Sequence, residues 1–213
     1  MKLYLSSFGL GNKPEKLFEL VNKTNPTVAI IANALDNFPD ARISFLNDQI
    51  ESLKKLGFNA EELDLRKYFN NQDELEAFLQ SKDCIWATGG NAFLLRRAMR
   101  YCGFDTLISS LIKEDKIVYG GFSAGIVVLP PNLRGFELVD DPHSLTEGYN
   151  ADIIWEGLNL IDFSPAVHYK SGHSESSDMD KVVTFFESHN IPYKPLADGE
   201  VFIIKDGEIE LVQ

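Results

Sequence analysis

The chain has 213 residues, of which 44% are hydrophobic and 24% are charged, a composition typical of a folded globular protein. Its net charge of −12, without any visible cluster of basic residues, argues against a nucleic-acid-binding protein. Two cysteines are too few for a disulfide framework, so we expect a reduced, cytoplasmic protein. No apolar run reaches membrane-spanning length, so we expect no association with a membrane.

Short apolar runs alternate with helical segments through the first two thirds of the chain. The predicted strands are residues 2–6, 27–32, 59–65, 84–88 and 116–119. The predicted helices are residues 14–21, 40–56, 73–79, 91–101 and 104–114. This alternation is typical of βαβ units in a mostly parallel sheet, where ligands bind beyond the carboxyl ends of the strands. The length suits one domain, and we expect residues 1–213 to form it.

The pattern becomes irregular after residue 129, where Pro130-Pro131 ends a helical run. Residues 132–160 predict loops and short strands near an active site. Beyond them we predict a strand over 163–167, a helix over 177–189 capped by Ser177 or Asp178, and closing strands over 193–196, 200–205 and 208–212. Asp206-Gly207 between the last two strands predicts a hairpin.

A serine lies in the turn after the central predicted strand, within residues 121–125 (GFSAG), and an apolar, helix-compatible run follows. This is the G-x-S-x-G pattern, with Gly120-Gly121 predicted to end the strand. A tight turn of this kind holds the serine hydroxyl out beyond the sheet, where it can act as a nucleophile. The amide of Ala124 is then available to stabilise an oxyanion. Because small residues also make ordinary turns, the motif alone leaves a purely structural turn open.

A serine nucleophile needs a base, and four histidines are available. His168 follows the apolar run 165–167 at a predicted strand end, on the edge where Ser123 is expected, so we favour it. His173 is the next candidate, while His143 lies in a loop and His189 at a helix end.

The carboxylate that would orient the histidine is not fixed by spacing. The candidates are Asp198, between two closing strands, and Glu137, Asp140 and Asp141 in the irregular segment. Asp198-Gly199 is also a common turn dipeptide, so a structural role is open there as well.

Glycines at a second strand end, Gly89-Gly90, predict a further oxyanion donor beside Ser123, since glycine lets a carbonyl approach the backbone closely. The helix predicted to start near Asn91 adds a favourable dipole. Phosphate binding is the alternative, but neither nucleotide-binding glycine motif is present.

Together, residues 88–95 (TGGNAFLL), 120–125 (GGFSAG) and 165–168 (PAVH) resemble the peptidase E family of serine peptidases, which includes aspartyl dipeptidases and, more distantly, cyanophycinase. The resemblance covers nearly the whole chain. It implies an α/β three-layer sandwich with a mostly parallel central sheet, flavodoxin-like and similar to class I glutamine amidotransferases. It also implies hydrolysis of short peptides without a metal or organic cofactor, by a monomer or homodimer.

The resemblance assigns roles to individual residues as well. It implies Ser123 as the nucleophile and His168 as the general base. It implies oxyanion donors in the backbone amides of Gly89, Gly90 and Ala124. Distant relatives place the acid just before the closing hairpin, which favours Asp198, whereas aspartyl dipeptidases have been assigned an acid that would correspond to Glu137 or Asp140.

One segment departs from the aspartyl dipeptidases, which carry arginines after the histidine to receive an N-terminal aspartate. Residues 168–181 contain no arginine, and by rough alignment Asp178 occupies that place, with Lys181 one turn on and Lys170 nearby. Arg134 is a further cation to consider. We therefore expect a neutral or basic N-terminal residue to be preferred over an acidic one. An esterase or amidase, and an inactive ligand-binding relative, remain as alternatives.

Overall fold

The computed structural model describes all residues from Met1 to Gln213. Nine strands form in chain order: β1 (Lys2–Ser6), β2 (Thr27–Ile31), β3 (Asn59–Glu62), β4 (Cys84–Ala87), β5 (Val118–Phe122), β6 (Ser164–Ala166), β7 (Tyr193–Pro195), β8 (Val201–Lys205) and β9 (Glu208–Val212). Seven helices accompany them: α1 (Glu15–Val21), α2 (Pro39–Lys55), α3 (Gln72–Gln80), α4 (Ala92–Tyr101), α5 (Phe104–Lys113), α6 (Ala124–Val127) and α7 (Ser176–Ser188). Single 3-10 turns lie at Asn33–Leu35, Leu65–Tyr68 and Phe136–Leu138.

Seven strands make the central sheet in the order β3-β2-β4-β5-β1-β8-β9. The first five of these pair in parallel, and β8 and β9 extend the sheet in antiparallel fashion. The hairpin predicted at Asp206-Gly207 forms, with positive φ angles of 53° and 87° at its two turn residues. The predicted mostly parallel sheet is therefore confirmed.

Two apolar cores cover the two faces of this sheet, because apolar side chains leave each strand alternately on both sides. Helices α1 and α2 pack over a cluster of 17 buried residues that includes Tyr4, Val28 and Trp86. Helices α3 to α7 pack over a cluster of 42 buried residues that includes Leu5 and Ile85. The result is the expected helix–sheet–helix sandwich. None of its helices has the length and apolar character required to cross a membrane.

Three boundary predictions were wrong. Gly120-Gly121 do not end the central strand; they lie inside β5, paired with β1 on one side and β4 on the other, so the sheet extends to Phe122. Strand β3 ends at Glu62, because residues 65–68 turn into a 3-10 helix. Helix α7 starts at Ser176 after Glu175, and no side chain caps it, so neither Ser177 nor Asp178 is the cap.

The strand before His168 lies outside the central sheet. We expected it to end at the edge where Ser123 lies; it forms β6, which pairs only with β7, in a separate two-stranded parallel sheet. Asn132 and Glu156 form an isolated bridge in the irregular segment, which otherwise lacks strands. The histidine therefore approaches the central sheet from a neighbouring layer.

Candidate active site

Ser123 lies in a strained turn between β5 and α6. Its φ of 49° and ψ of −123° are unusual for a residue with a side chain, and such strain is concentrated at functional sites. The turn is tight because α6 approaches β4 closely: a Cβ atom at Gly125 would lie 2.1 Å from the carbonyl oxygen of Ala87. Glycine is therefore required there, as the G-x-S-x-G pattern predicts.

His168 and Asp198 form a hydrogen-bonded pair. His168 Nδ1 lies 2.7 Å from Asp198 Oδ1, and the histidine is almost fully buried. An ionised carboxylate only accepts hydrogen bonds, so the imidazole proton lies on Nδ1 and Nε2 keeps a free lone pair. That tautomer is the one a general base needs.

Ser7, at the end of β1, connects all three of these residues. Its hydroxyl donates to Asp198 Oδ1 at 2.9 Å and accepts from the amide of His168 at 2.8 Å. Its carbonyl oxygen accepts from the amide of Ser123 at 3.2 Å. Sequence reasoning missed Ser7. The available signal was its place after β1, since β1 and β5 are parallel neighbours and end at the same edge.

The other candidate acids bind elsewhere. Glu137 accepts from the amide of Gly135, and Asp141 from the amide of His143. Asp140 accepts from the amide of Ala92 at the start of α4. Burial raises the pKa of Asp140 to about 7; the Ala92 amide opposes this and the charge of Glu175 adds to it. None of the three makes a hydrogen bond to His168.

Gly89 and Gly90 follow β4, the parallel neighbour of β5, so their loop lies beside Ser123. Gly90 has a φ of +131°, and a Cβ atom there would lie 2.5 Å from the carbonyl oxygen of Ala34. Neither the amide of Gly90 nor that of Ala124 donates a hydrogen bond within the chain. These amides are available to an oxyanion, and their convergence on one point stays a prediction.

A cavity of about 190 Å³ is lined by Ser123, His168 and the glycines of the 89–90 loop. The apolar part of its lining consists of Phe8, Leu35, Ala41, Phe45 and Phe122; the rest is formed by Gly89, Gly90, Ser123, His168, His173 and Glu175. No hydrogen bond joins the Ser123 hydroxyl to His168 Nε2, although both side chains line the cavity. Such bonds often form only in the substrate complex.

Burial lowers the pKa of His168 below its ordinary value of 6.5. The hydrogen bond and charge of Asp198 and the charge of Glu175 act in the opposite direction, while His173 reinforces the lowering. The imidazole is consequently neutral, and able to accept a proton, at neutral pH.

His173 stacks on His168, with ring centroids 3.8 Å apart and planes 12° from parallel. Ligand atoms of His168, His173 and Glu175 lie within 4.8 Å of one another, close enough to be considered as a metal site. The nitrogen lone pairs of an imidazole lie in the ring plane, however, so those of two parallel stacked rings do not converge on one ion. The amide of Glu175 also already donates to His173 Nδ1. A shared ion would require one ring to rotate.

The cations considered for an acidic substrate lie outside the cavity. Arg134 packs over the ring of Trp155 at 3.9 Å, and Lys170 over the ring of Tyr169. Asp178 pairs with Lys181 on the surface of α7. Neither an arginine nor a lysine lines the cavity.

Comparison with known proteins identifies the family of the chain. The model of peptidase family S51 matches residues 8–212. Uncharacterized peptidases of Listeria innocua and Listeria monocytogenes are each 31% identical over 159 residues, which cover 75% of this chain and 72% and 73% of those proteins. An uncharacterized peptidase of Pasteurella multocida is 26% identical over 88% of this chain and 82% of its own.

Solved structures give the same result. A crystal structure of a Listeria monocytogenes protein described as a candidate peptidase E superimposes with a TM-score of 0.81 at 26% identity, covering 100% of this chain and 98% of that one. A peptidase from an acI-B1 actinobacterium, at 16% identity, shares the fold with a TM-score of 0.71 over 99% and 86% of the two chains. With a family match over nearly its whole length, the chain belongs to peptidase family S51 and is a serine-type peptidase.

Proposed function

We propose that this peptidase hydrolyses short peptides through an acyl-enzyme on Ser123. The observation that carries the proposal is the 2.7 Å contact of Asp198 with His168 Nδ1, in a cavity that also holds Ser123 on a strained turn. This contact fixes the imidazole tautomer that leaves Nε2 to act as a base. Of the candidate acids, Asp198 alone contacts the histidine, which supports it as the third member of the triad.

The proposed reaction has two halves. Ser123 Oγ attacks the peptide carbonyl carbon while His168 Nε2 takes the hydroxyl proton, and amides of Gly89, Gly90 and Ala124 bind the oxyanion. The C–N bond then breaks, the leaving amine receives the proton from His168, and an acyl-enzyme remains. A water molecule, deprotonated by the same histidine, attacks the ester and releases the acid product and free Ser123.

The volume and lining of the cavity support a small substrate whose first residue has an uncharged side chain. Its volume of about 190 Å³ is small for a drug-sized ligand, for which sites of roughly 300–1,000 Å³ are typical. A buried carboxylate on the substrate would need a cation, and the cavity has none. We therefore propose a dipeptidase-like activity without a strict requirement for aspartate.

Two further observations bear on the cellular location and the domain organisation of the proposed enzyme. Both cysteines, Cys84 and Cys102, are buried and unpaired, which supports a reducing, cytoplasmic location. The two apolar cores lie on opposite faces of one sheet, which supports a single domain over residues 1–213.

Hydrolysis of a dipeptide library by the purified protein tests the proposal, with the S123A variant as control. We expect turnover of dipeptides that S123A lacks, and labelling of the wild-type serine by a fluorophosphonate. Turnover of aryl esters with none of dipeptides would indicate an esterase instead. A wild-type protein that neither hydrolyses any substrate nor takes up the label would be an inactive relative.

A further inference from the structure

Glu175 presents a carboxylate to the catalytic cavity without a partner. It is the residue before α7, its side chain is 43% exposed, and it lines the cavity together with Ser123 and His168. The carboxylate accepts no hydrogen bond within the chain. It lies within 4.0 Å of no lysine or arginine, and its nearest cationic candidates are the imidazoles of His168 and His173.

The backbone of Glu175 is anchored next to the proposed base. The amide of Glu175 donates to His173 Nδ1 at 3.2 Å, and the ring of His173 stacks on that of His168. The side chain of Glu175 starts from this anchored position, and its Oε2 lies 4.0 Å from His168 Nε2. A group bound to Glu175 would lie next to the bond that the serine attacks.

Covalent geometry favours the α-ammonium group of the substrate as the group that binds to Glu175. In an N-terminal residue the α-nitrogen lies about 2.5 Å from its own carbonyl carbon, given the standard bond lengths and angle. That carbon must come within about 3–3.5 Å of Ser123 Oγ, which in turn must reach His168 Nε2 within about 3 Å. The ammonium group therefore lies close to the catalytic residues, and the one acidic side chain that lines the cavity there is Glu175, whose Oε2 is 4.0 Å from His168 Nε2.

We propose that Glu175 binds the free α-ammonium group of the N-terminal residue whose carbonyl is attacked. The enzyme then releases single N-terminal residues and discriminates against peptides with a blocked amine. This inference rests on the proposed function, because it assumes acylation of Ser123. Glu175 is a specificity-determining residue in this scheme, and the proton transfers remain with His168.

The apolar part of the cavity lining specifies the side chain of that N-terminal residue. Phe8, Leu35 and Phe45 belong to it, and Phe8 is 47% exposed although it is a large apolar residue. Desolvation of an apolar substrate side chain against these residues is favourable. An acidic side chain would find no lysine or arginine in the cavity lining and would face the carboxylate of Glu175. The substrate class is therefore a short peptide with a free amine and an apolar first residue.

Three p-nitroanilides test this assignment: leucine, N-acetyl-leucine and the desamino analogue 4-methylpentanoic acid. For the wild type we expect kcat/KM for the free amine to exceed both others by about 30-fold or more, as for a hydrogen bond between charged groups. The advantage should decline above the pKa of an α-amino group, near 8, while the N-acetyl rate does not. Aspartic acid p-nitroanilide should be a poorer substrate than leucine p-nitroanilide.

The E175Q variant should bring the ratio of free-amine to N-acetyl kcat/KM to within about threefold of one. D180N is the matched control, since Asp180 is an exposed acid on α7 that makes no ion pair, and it should keep the wild-type ratio. Glu175 would have a second role if it stabilised a protonated His168. That role would change kcat/KM for all three substrates equally, so the ratio of free-amine to N-acetyl kcat/KM reports only recognition of the ammonium group. The wild-type comparison needs no variant, so a folding defect in E175Q leaves the test intact.

The failures are distinguishable. A wild-type ratio near one, or a full ratio retained in E175Q, with Ser123 labelled by a fluorophosphonate and the N-acetyl substrate turned over, overturns the role of Glu175 and leaves the proposed function standing. Absence of labelling and of all hydrolysis overturns the proposed function, and the role of Glu175 with it.

Discussion

Two polar clusters lie at the carboxyl ends of strands in the same sheet, and they are built on opposite principles. The paired cluster follows β2 and β3 and comprises Asn33, Asp36, Arg42, Asp64, Arg66 and Tyr149. The cavity cluster forms at the ends of β1 and β5, where the segments after β6 and β7 meet them, and comprises Ser7, Ser123, His168, His173, Glu175 and Asp198. Both clusters contain charged side chains that are partly or fully buried. They differ in how many hydrogen-bond and ion-pair partners those side chains have.

In the paired cluster every buried charge has several partners. Asp36 is fully buried and receives hydrogen bonds from Asn33, Arg42 and Tyr149 at 2.5–2.7 Å. Burial alone would raise the pKa of Asp64, but hydrogen bonds from Arg66 and Asn33 and the nearby arginines outweigh it and lower the pKa to about 2. No acceptor is left free for a ligand.

In the cavity cluster the orienting contacts are satisfied but the reactive atoms are not. Asp198 and the amide of His168 have partners, whereas the Ser123 hydroxyl and the Glu175 carboxylate have none. Ser123 and His168 also have positive φ angles of 49° and 58°. Unsatisfied groups and backbone strain reduce stability, so their concentration in a cavity indicates function. Complete pairing in the other cluster indicates a contribution to folding.

The largest expected effect comes from removing the reactive atoms. Ser123→Ala and His168→Ala should each reduce kcat/KM on a turned-over dipeptide by about 10³- to 10⁶-fold, and the double variant should cost little more. The reason is that triad members act as one unit. Steady-state rates of the two single variants and the double variant provide the measurement. Near-normal turnover by His168→Ala would remove His168 from the mechanism and make His173 the candidate base.

Asp198→Asn should lower kcat by about 10²- to 10⁴-fold, because an amide in place of the carboxylate no longer fixes the proton on His168 Nδ1. Glu137→Gln and Asp141→Asn are matched controls, since both acids accept only local amide bonds. Each control should stay within about tenfold of the wild type. Equal losses in Glu137→Gln and Asp198→Asn would contradict the assignment of the acid.

Breaking the paired cluster should change stability instead. Asp36→Ala removes the fully buried carboxylate that accepts the hydrogen bond of Arg42 Nε, and we expect the free energy of unfolding to fall by about 3–5 kcal/mol. Asp48→Asn changes an exposed residue of α2, the helix that carries Arg42, and should lower the free energy of unfolding by no more than about 0.5 kcal/mol. Urea unfolding measures both. A large loss of kcat/KM in folded Asp36→Ala, without a loss of stability, would show that the two clusters are not separate in function.

Ser7→Ala sharpens the comparison within the cavity cluster. The substitution removes a hydroxyl that bridges His168 and Asp198, so we expect kcat/KM to fall about tenfold, a typical effect of one hydrogen bond. A positioning role predicts a shifted midpoint of the acid limb of kcat/KM as well as a lower rate. An unchanged pH profile at full activity would show that the bridge is dispensable.

The smallest effect concerns pH. Activity requires neutral His168, and burial lowers its pKa, so kcat/KM should decline only as pH falls through a midpoint below 6.5. Asp198, Glu175 and His173 are the titratable groups that face it. Initial rates from pH 4.5 to 8 locate the midpoint. A midpoint above 6.5 would mean that the two carboxylates outweigh burial.

The sequence determined the parts of this protein that depend on local sterics. Apolar runs and intervening helices predicted the parallel sheet, and the glycines around Ser123 predicted a tight turn at its edge. Such features are set by residues a few positions apart, through side-chain size and backbone conformation. The predicted strand end before His168 favoured that histidine as the base, and the family resemblance then implied the same role and favoured Asp198 over the other acids.

The tertiary structure decided which distant side chains meet. Ser7 contacts His168 across 161 positions and Asp198 across 191, and no local pattern marks that serine. Strand β6 pairs with β7 outside the central sheet, and the sequence did not predict this pairing, because pairing partners follow from global packing. No local pattern marks Glu175 either, and the tertiary structure brings it into the cavity next to the stacked rings of His168 and His173. Strands and turns follow from short-range sterics, whereas a catalytic cavity depends on long-range contacts that form when the layers pack.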